Sequence, residues 1–141
     1  MLVDANILLY AVDETSPFHS ASKSWLEGAL NGSRRVALPW QSLLGFLRIA
    51  TNPRALVTHL SADEAWGFIE DWLAAPCAWI PQPTAGYRTI LGSLVRDLRL
   101  SGNLIPDAAL AALCIQHGLA IVSADSDFAR FPELTWINPA V

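Results

Sequence analysis

Short apolar segments alternate with helical patterns along the chain, and this alternation constrains the fold more than any other feature. The apolar segments predict buried strands at residues 2–3, 36–39, 78–82, 119–123 and 135–137. Periodicity and capping signals predict helices over 16–30, 40–51, 85–100 and 106–117, one that follows the capping box Ser61–Glu64, and a short turn at 127–131. This order favours an α/β fold with a mostly parallel sheet.

The length and composition indicate one domain over residues 1–141. The chain shows no repeat and no linker, and at this length it can bury roughly 68% of its unfolded surface. It has no apolar run of the roughly 18 residues that a membrane span needs, and no basic segment precedes its first apolar residues. Cys77 and Cys114 have no CxxC partner, which favours reduced thiols in a cytoplasmic protein over a disulfide.

The charge balance argues against a free-standing nucleic-acid-binding protein. The net charge is −4, and the basic residues are eight Arg and a single Lys, Lys23. Basic surfaces are the usual electrostatic signature of nucleic-acid binding. If the substrate is a polyanion, a divalent metal is therefore the expected source of positive charge.

Four aspartates are expected to converge at one edge of the predicted sheet. Asp4 follows the first strand, Asp125 and Asp127 follow the strand at 119–123, and Asp107 begins the helix that leads into that strand. Functional crevices of parallel sheets lie beyond the carboxyl ends of the strands. Clustered carboxylates need a compensating cation, and a set of oxygen ligands suits Mg²⁺ or Mn²⁺.

Each aspartate taken alone also has a plainer interpretation. Asp107 after a proline can be a helix cap, and Asp125 and Asp127 can be ordinary turn residues. Asp4 is harder to explain in this way, because an apolar neighbourhood makes a bare carboxylate costly. Asn6 is a candidate partner for it.

Four blocks of sequence carry a family resemblance: VDANILLYA, LPWQSLLGFLRIATNPR, GNLIPDAALAALCIQHG and IVSADSDFARFPELTWINP. Together they resemble the PIN-domain ribonucleases, and in particular the VapC toxins of VapBC toxin–antitoxin modules, from residue 2 to about 139. It implies a three-layer αβα domain with a short, mostly parallel sheet. It also implies a Mg²⁺- or Mn²⁺-dependent endoribonuclease that leaves a 5′-phosphate and a 3′-hydroxyl, forms a homodimer and is masked by a VapB-type antitoxin.

The resemblance also implies roles for individual residues. Asp4, Asp107 and Asp125 match acidic metal ligands, and Asp127 matches an auxiliary acid. Asn6 and Ser123 match small polar positions that orient these carboxylates. We therefore expect catalysis and metal binding from the following set: Asp4, Asp107, Asp125 and Asp127.

One position departs from the family pattern. Many PIN domains carry a Glu on the helix after the second strand, in a pattern like LAELLR, whereas this chain reads LLGFLR and is expected to place Phe46 there. The nearest polar residue, Gln41, is expected on a different face. The loss of one carboxylate predicts weaker metal affinity and favours a single well-held Mg²⁺. It also leaves open a PIN-fold protein that only binds partners.

Basic and aromatic residues outside the cluster keep two interpretations each. Arg48 and Arg54 can contact RNA phosphate or an antitoxin carboxylate, or they are ordinary surface arginines. The six Trp are expected in the core or in a dimer contact, although exposed ones can stack on single-stranded RNA. A haloacid-dehalogenase-like phosphatase is a weaker alternative, because that chemistry needs an Asp where Asn6 stands and a late Lys.

Overall fold

The computed structural model describes residues 1–140 and contains a five-stranded sheet in which every pairing is parallel. The strand order is β3-β2-β1-β4-β5, so that β1 lies at the centre, with Leu2 in register with both Ala37 and Ile121. The strands are β1 Leu2–Val3, β2 Val36–Ala37, β3 Ala78–Trp79, β4 Ile121–Val122 and β5 Trp136–Ile137. The predicted α/β class with a short parallel sheet is confirmed.

Helices connect the strands. They are α1 Ala5–Val12, α2 His19–Leu30, α3 Trp40–Ala50, α4 Ala62–Ala74, α5 Tyr87–Asp97 and α6 Leu104–His117, with a 3₁₀ turn at Ser126–Arg130. The capping box at the start of α4 is present in full, since the side chains of Ser61 and Glu64 each bond the other residue's backbone.

Several predicted boundaries were wrong, for local reasons. Helix α1 was not predicted at all, and the side chain of Asp4 caps it by accepting from the Ala5 N–H. Helix α2 begins at His19 because Ser16 instead accepts a hydrogen bond from the Phe18 N–H in a turn. Helix α6 begins at Leu104, which puts Pro106 inside its first turn, where a missing N–H costs no helical hydrogen bond.

The first strand was predicted correctly at residues 2–3, whereas the other four predicted strands were too long. Pro39 does not continue β2 but stands at the cap of α3, and Pro81 has no N–H to extend the ladder of β3. All five strands are two residues long, and this length is enough to fix the direction of the chain and the edge of the sheet at which the next residue lies.

The sheet separates two apolar cores, as a three-layer αβα domain requires. Val3 faces a core built with α1, α2, α3 and α4, while Leu2 faces a second core built with α5, α6 and the 3₁₀ turn. Both side chains are fully buried. Within the described residues no helix is long and apolar enough to cross a membrane, and Cys77 and Cys114 are both free thiols.

Candidate metal centre

The carboxyl edge of the sheet carries the acidic residues. Asp4 follows β1 directly and its N–H bonds the Val122 carbonyl on β4 at 3.0 Å. Ser123 and Asp125 follow β4, and the first turn of α6 brings in Asp107. Because β1 and β4 are parallel neighbours, their following residues emerge at the same edge.

Three of the four predicted ligands form one compact cluster. Asp107, Asp125 and Asp127 each offer a carboxylate oxygen, and these oxygens all lie within 4.8 Å of one another. Asp107 and Asp125 are half-buried, and the Asp127 side chain is 47% exposed. The Asp125 side chain also accepts the Asp127 N–H at 2.9 Å, which fixes the 3₁₀ turn that carries both residues. We call this set the aspartate cluster.

Asp4 lies beside the aspartate cluster rather than within it. One of its oxygens accepts from the Ala5 N–H at 2.7 Å, and the other accepts from the Ser123 hydroxyl at 2.7 Å and the Asn6 amide at 3.3 Å. Asp4 and Asp107 nevertheless line one cavity of about 510 Å³ between α3 and the start of α6. Asp4 therefore lines the same cavity as Asp107 of the cluster, and its carboxylate is already held by hydrogen bonds from the protein.

Ser123 and Asn6 connect the acidic residues. The Ser123 side chain is fully buried, and besides donating to Asp4 it accepts from the Asp125 N–H at 3.0 Å and from the Asn6 amide at 3.1 Å. The Asn6 side-chain oxygen accepts from the Ala124 N–H at 3.2 Å. Both residues thus touch the groups that they were expected to orient, and one buried hydroxyl couples Asp4 to the loop carrying Asp125.

The electrostatics of the edge favour a cation. Burial raises the pKa of Asp107 to about 6, and the charges of Asp125, Asp4 and Asp127 add to the rise, while Arg130 opposes it. Burial also raises the pKa of Asp4, although its hydrogen bonds from Ser123 and Ala5 oppose that shift. Crowded carboxylate oxygens without His or Cys form the donor set that hard divalent cations prefer.

The residue that α3 presents to the cavity is Gly45 and not Phe46. Phe46 was expected at the position of the usual Glu, but its ring is fully buried and packs edge-on against Trp72, with 4.8 Å between ring centroids. The cavity is lined by Gly45, whose α-carbon lies so close to α1 that a Cβ would stand 3.1 Å from the Cβ of Ala5. The residue of α3 at the cavity is therefore Gly45, where a side chain would crowd Ala5, and Phe46 is a core residue.

Gln41 lies at the cavity and not on a different face of α3 as expected. It lies on the same cavity-lining face of α3 as Gly45, four residues along, and its side-chain amide donates to the Pro106 carbonyl at 2.9 Å. This bond ties α3 to the first turn of α6, immediately before Asp107. The spacing between positions 41, 45 and 48 was the available signal for this shared face.

The two predicted arginines differ in position, and a third arginine lies beside the cluster. Arg48 lines the cavity, whereas Arg54 lies in the exposed turn after α3 and is not among the lining residues. Arg130 was not predicted as a site residue, yet its guanidinium lies 3.3 Å from an Asp127 oxygen. Its signal in the sequence was the spacing of three residues from Asp127 within one helical turn.

The fold and the acidic edge together define an α/β domain with a centre suited to a divalent cation. A family model described as "PIN domain" matches residues 1–134. Ribonuclease VapC37 of Mycobacterium tuberculosis is 44% identical over 138 residues, covering 98% of this chain and 96% of its own length. Ribonuclease VapC33 of the same species is 38% identical over 141 residues, covering 99% and 97%. The chain therefore belongs to the PIN-domain family and, within it, to the VapC ribonucleases.

Solved structures agree at the level of the fold. VapBC2 of Rickettsia felis, bound to a promoter DNA fragment, matches with a TM-score of 0.71 and 18% identity over 97% of this chain and 96% of that one. VapBC-1 of nontypeable Haemophilus influenzae matches with a TM-score of 0.68 and 14% identity over 99% and 98%. The backbone arrangement described above is thus the one that these proteins share.

Proposed function

We propose that this protein is the toxin of a type II toxin–antitoxin module and that it hydrolyses RNA phosphodiester bonds as a Mg²⁺-dependent endoribonuclease. The observation that carries the proposal is the aspartate cluster, with three carboxylate oxygens within 4.8 Å. The names of the VapC ribonuclease relatives, at up to 44% identity, support the substrate class. Family resemblance gives the products, a 5′-phosphate and a 3′-hydroxyl.

The donor set fits a hard cation. Asp107, Asp125 and Asp127 would hold Mg²⁺, or Mn²⁺, and Asp4 would face it from the side of β1. A cation bound there supplies charge for the phosphodiester transition state and activates water for attack. Because α3 presents Gly45 and no acidic residue to the cavity, this set of carboxylates favours one well-held cation over two.

The protein's own residues hold the acidic groups in place. Ser123 fixes Asp4 and the backbone of Asp125 at once, so that neither carboxylate must be ordered when substrate arrives. Gln41 fixes the first turn of α6, which carries Asp107. Arg48, at the wall of the cavity, and Arg130, beside Asp127, are placed to meet phosphate oxygens and to offset the acidic surface.

A cognate VapB-type antitoxin is the proposed partner. The matching solved structures from Rickettsia felis and Haemophilus influenzae are VapBC structures. We propose that an Arg or Lys of the antitoxin enters the aspartate cluster and displaces the cation, and that the toxin is a cytoplasmic homodimer. Isothermal titration of Mg²⁺ into the isolated toxin and into the toxin–antitoxin complex tests the displacement. An unchanged Mg²⁺ affinity in the complex would contradict it.

One assay addresses the activity itself. Purified protein is incubated with structured RNA in Mg²⁺, in EDTA, and in Mg²⁺ with Asp4→Asn. Cleavage is expected only in the first condition. Asp71→Asn is the matched control, since Asp71 is an exposed aspartate on α4 outside the cavity, and it is expected to cleave like the unmodified chain. Cleavage that survives EDTA or Asp4→Asn would overturn the mechanism.

A second candidate is a PIN-fold protein that only binds partners. The observation in its favour is Gly45, which leaves α3 without a carboxylate at the cavity. No cleavage of any RNA in Mg²⁺ or Mn²⁺, together with normal growth on expression, would favour this candidate over the ribonuclease.

A further inference from the structure

An exposed pair of tryptophans stands next to the cavity. Trp40 is the first residue of α3 and comes directly after Pro39 at the carboxyl end of β2. It therefore lies at the same edge of the sheet as the aspartate cluster. Trp66, on α4, stacks on it with 6.4 Å between ring centroids and 11° between ring planes. The two residues are 39% and 40% exposed, which is unusual for side chains of this size.

The pair is held in a fixed orientation. The Trp66 indole N–H donates to the Glu70 carboxylate at 2.8 Å, one turn further along α4. This bond and the near-parallel stacking on Trp40 restrict both rings. The result is a flat aromatic surface that keeps its shape and does not need to be ordered when a ligand binds.

The aromatic surface is continuous with the proposed catalytic cavity. Trp40, Leu44 and Arg48 stand four residues apart on α3, so they form one stripe of about 12 Å along the helix. Leu44 is 54% exposed, and Leu44 and Arg48 line the cavity together with Asp4 and Asp107. A ligand that reaches from the aromatic pair to Arg48 must cross the mouth of the cavity.

We propose that the Trp40–Trp66 pair is a stacking subsite for one unpaired base of the RNA substrate, beside the phosphate that is cut. The proposal rests on the proposed function and adds that the substrate is single-stranded at this point. A chain of net charge −4 cannot rely on long-range attraction to RNA. Stacking on an aromatic face binds any base, but only one that is free of a duplex.

The test separates stacking from general apolar contact. Trp40→Leu and Trp66→Leu keep apolar bulk but remove the aromatic face, whereas Trp40→Phe and Trp66→Phe keep a ring. Each is made in the Asp4→Asn protein in Mg²⁺, which prevents cleavage but leaves the three residues of the aspartate cluster intact. The probes are a labelled single-stranded RNA oligonucleotide and its duplex, measured by fluorescence anisotropy. Phe18→Leu is the control, because Phe18 is 41% exposed and lies before α2.

The expected result is a loss of single-strand affinity in the leucine variants alone. Each Trp→Leu change should raise the Kd for the single strand by roughly 5- to 150-fold, as the loss of one base–aromatic stack predicts. The phenylalanine variants should recover most of that affinity, and duplex binding and the Phe18→Leu control should not change. A series of oligonucleotides, each with one abasic position, is also titrated into the protein with both tryptophans intact. Affinity should fall for one abasic position only. This measurement does not depend on the variants folding.

Three outcomes would overturn the proposal. The first is single-strand affinity that is unchanged in the leucine variants and with every abasic probe. The second is an equal loss of single-strand affinity in the leucine and phenylalanine variants. The third is a change of oligomeric mass, measured by light scattering, without a change in Kd. That result would make the surface an interface between copies of the chain. Failure of the unmodified chain to cleave RNA would reject the proposed function, while the Kd values would still decide on the subsite.

Discussion

At the scale of single residues, Asp127 is the exposed member of the aspartate cluster and its role can be isolated. We predict that Asp127→Asn lowers Mg²⁺ affinity by at least about tenfold, because it removes a full negative charge a few ångströms from the cation. Isothermal titration measures this directly. Arg130→Gln is the matched control, since it breaks the same ion pair but leaves the carboxylate.

The two variants should differ in their Mg²⁺ affinity. Arg130→Gln should leave Mg²⁺ affinity equal or higher, because a competing cation is gone. If Asp127→Asn binds Mg²⁺ like the unmodified chain, Asp127 is a turn residue whose N–H and side chain serve only the local structure.

Asp107 predicts how the site responds to pH. Its pKa is raised to about 6 by burial and by neighbouring carboxylates, and a cation needs the ionised form. We predict that Mg²⁺ affinity falls as the pH is lowered from 7 to 5. The fall should steepen below pH 6 and approach roughly tenfold per pH unit near pH 5. Titrations across this range measure the slope, and a profile that is flat between pH 5 and 7 would contradict the assignment.

The same shift has a consequence for stability without metal. The folded protein holds the Asp107 proton more tightly than the unfolded chain does. The stability from this proton is fully present below the unfolded pKa near 3.9 and is lost as the pH rises through about 6. Asp107→Asn should remove this part of the pH dependence in EDTA. Urea unfolding at pH 5 and pH 7.5, with both proteins, measures the difference.

Residue type and position were enough to predict that the acidic residues converge, but not every contact around them. Aspartates that follow parallel strands must emerge at one edge, and this rule predicted the convergence of Asp4 and Asp125. Gln41 and Arg130 carry no such signal. Their roles depend on which residue a neighbouring helix places opposite them, and that is set by tertiary packing.

At the scale of secondary-structure elements, the rotation of α3 decides which residues meet the cavity. Phe46 is fully buried against Trp72, while Leu44 is 54% exposed and lines the cavity. We predict that Phe46→Glu costs more than about 4 kcal/mol and unfolds the protein, because it creates a cavity and buries a charge. Leu44→Glu should fold normally and raise Mg²⁺ affinity by about fivefold, since it adds a carboxylate at the cavity wall.

Circular dichroism and Mg²⁺ titration distinguish these outcomes, with Leu44→Gln as a neutral control of similar shape. A folded Phe46→Glu protein with tighter Mg²⁺ binding would show that Phe46 faces the site after all. It would also be unexpected from the motif itself, because the Glu of LAELLR is its third residue and the third residue of LLGFLR is Gly45.

The error at α3 shows where sequence patterns stop being informative. The motif LLGFLR gives the helix but not its rotation, and neighbouring residues on a helix point about 100° apart. The rotation is fixed by Phe46 entering the core and by the close approach of Gly45 to Ala5. Both are long-range facts, whereas the capping box at Ser61 is a local signal and was predicted correctly.

At the scale of the whole molecule, the α/β order was predictable because strands and helices alternate along the chain, which favours a parallel sheet. The charge distribution was not, since it depends on which side of the sheet each arginine reaches. Arg34 and Arg35 precede β2 and therefore lie at the amino edge, where the Arg35 guanidinium packs 4.0 Å from the Trp79 ring centroid. At the carboxyl edge, Arg48 lines the cavity and Arg130 pairs with Asp127.

This separation predicts a weak dependence of RNA binding on salt. Each phosphate contact on a single strand contributes about −0.7 to the slope of log affinity against log salt, so that two arginines give about −1.4. Anisotropy of a single-stranded oligonucleotide with the Asp4→Asn protein, at several KCl concentrations and constant Mg²⁺, measures the slope. Arg48→Gln should make it shallower by about 0.7, and Arg35→Gln should leave it unchanged. A slope of about −4 or steeper, reduced by Arg35→Gln, would mean that the RNA reaches around to the amino edge and that the substrate path is not confined to α3 and the aspartate cluster.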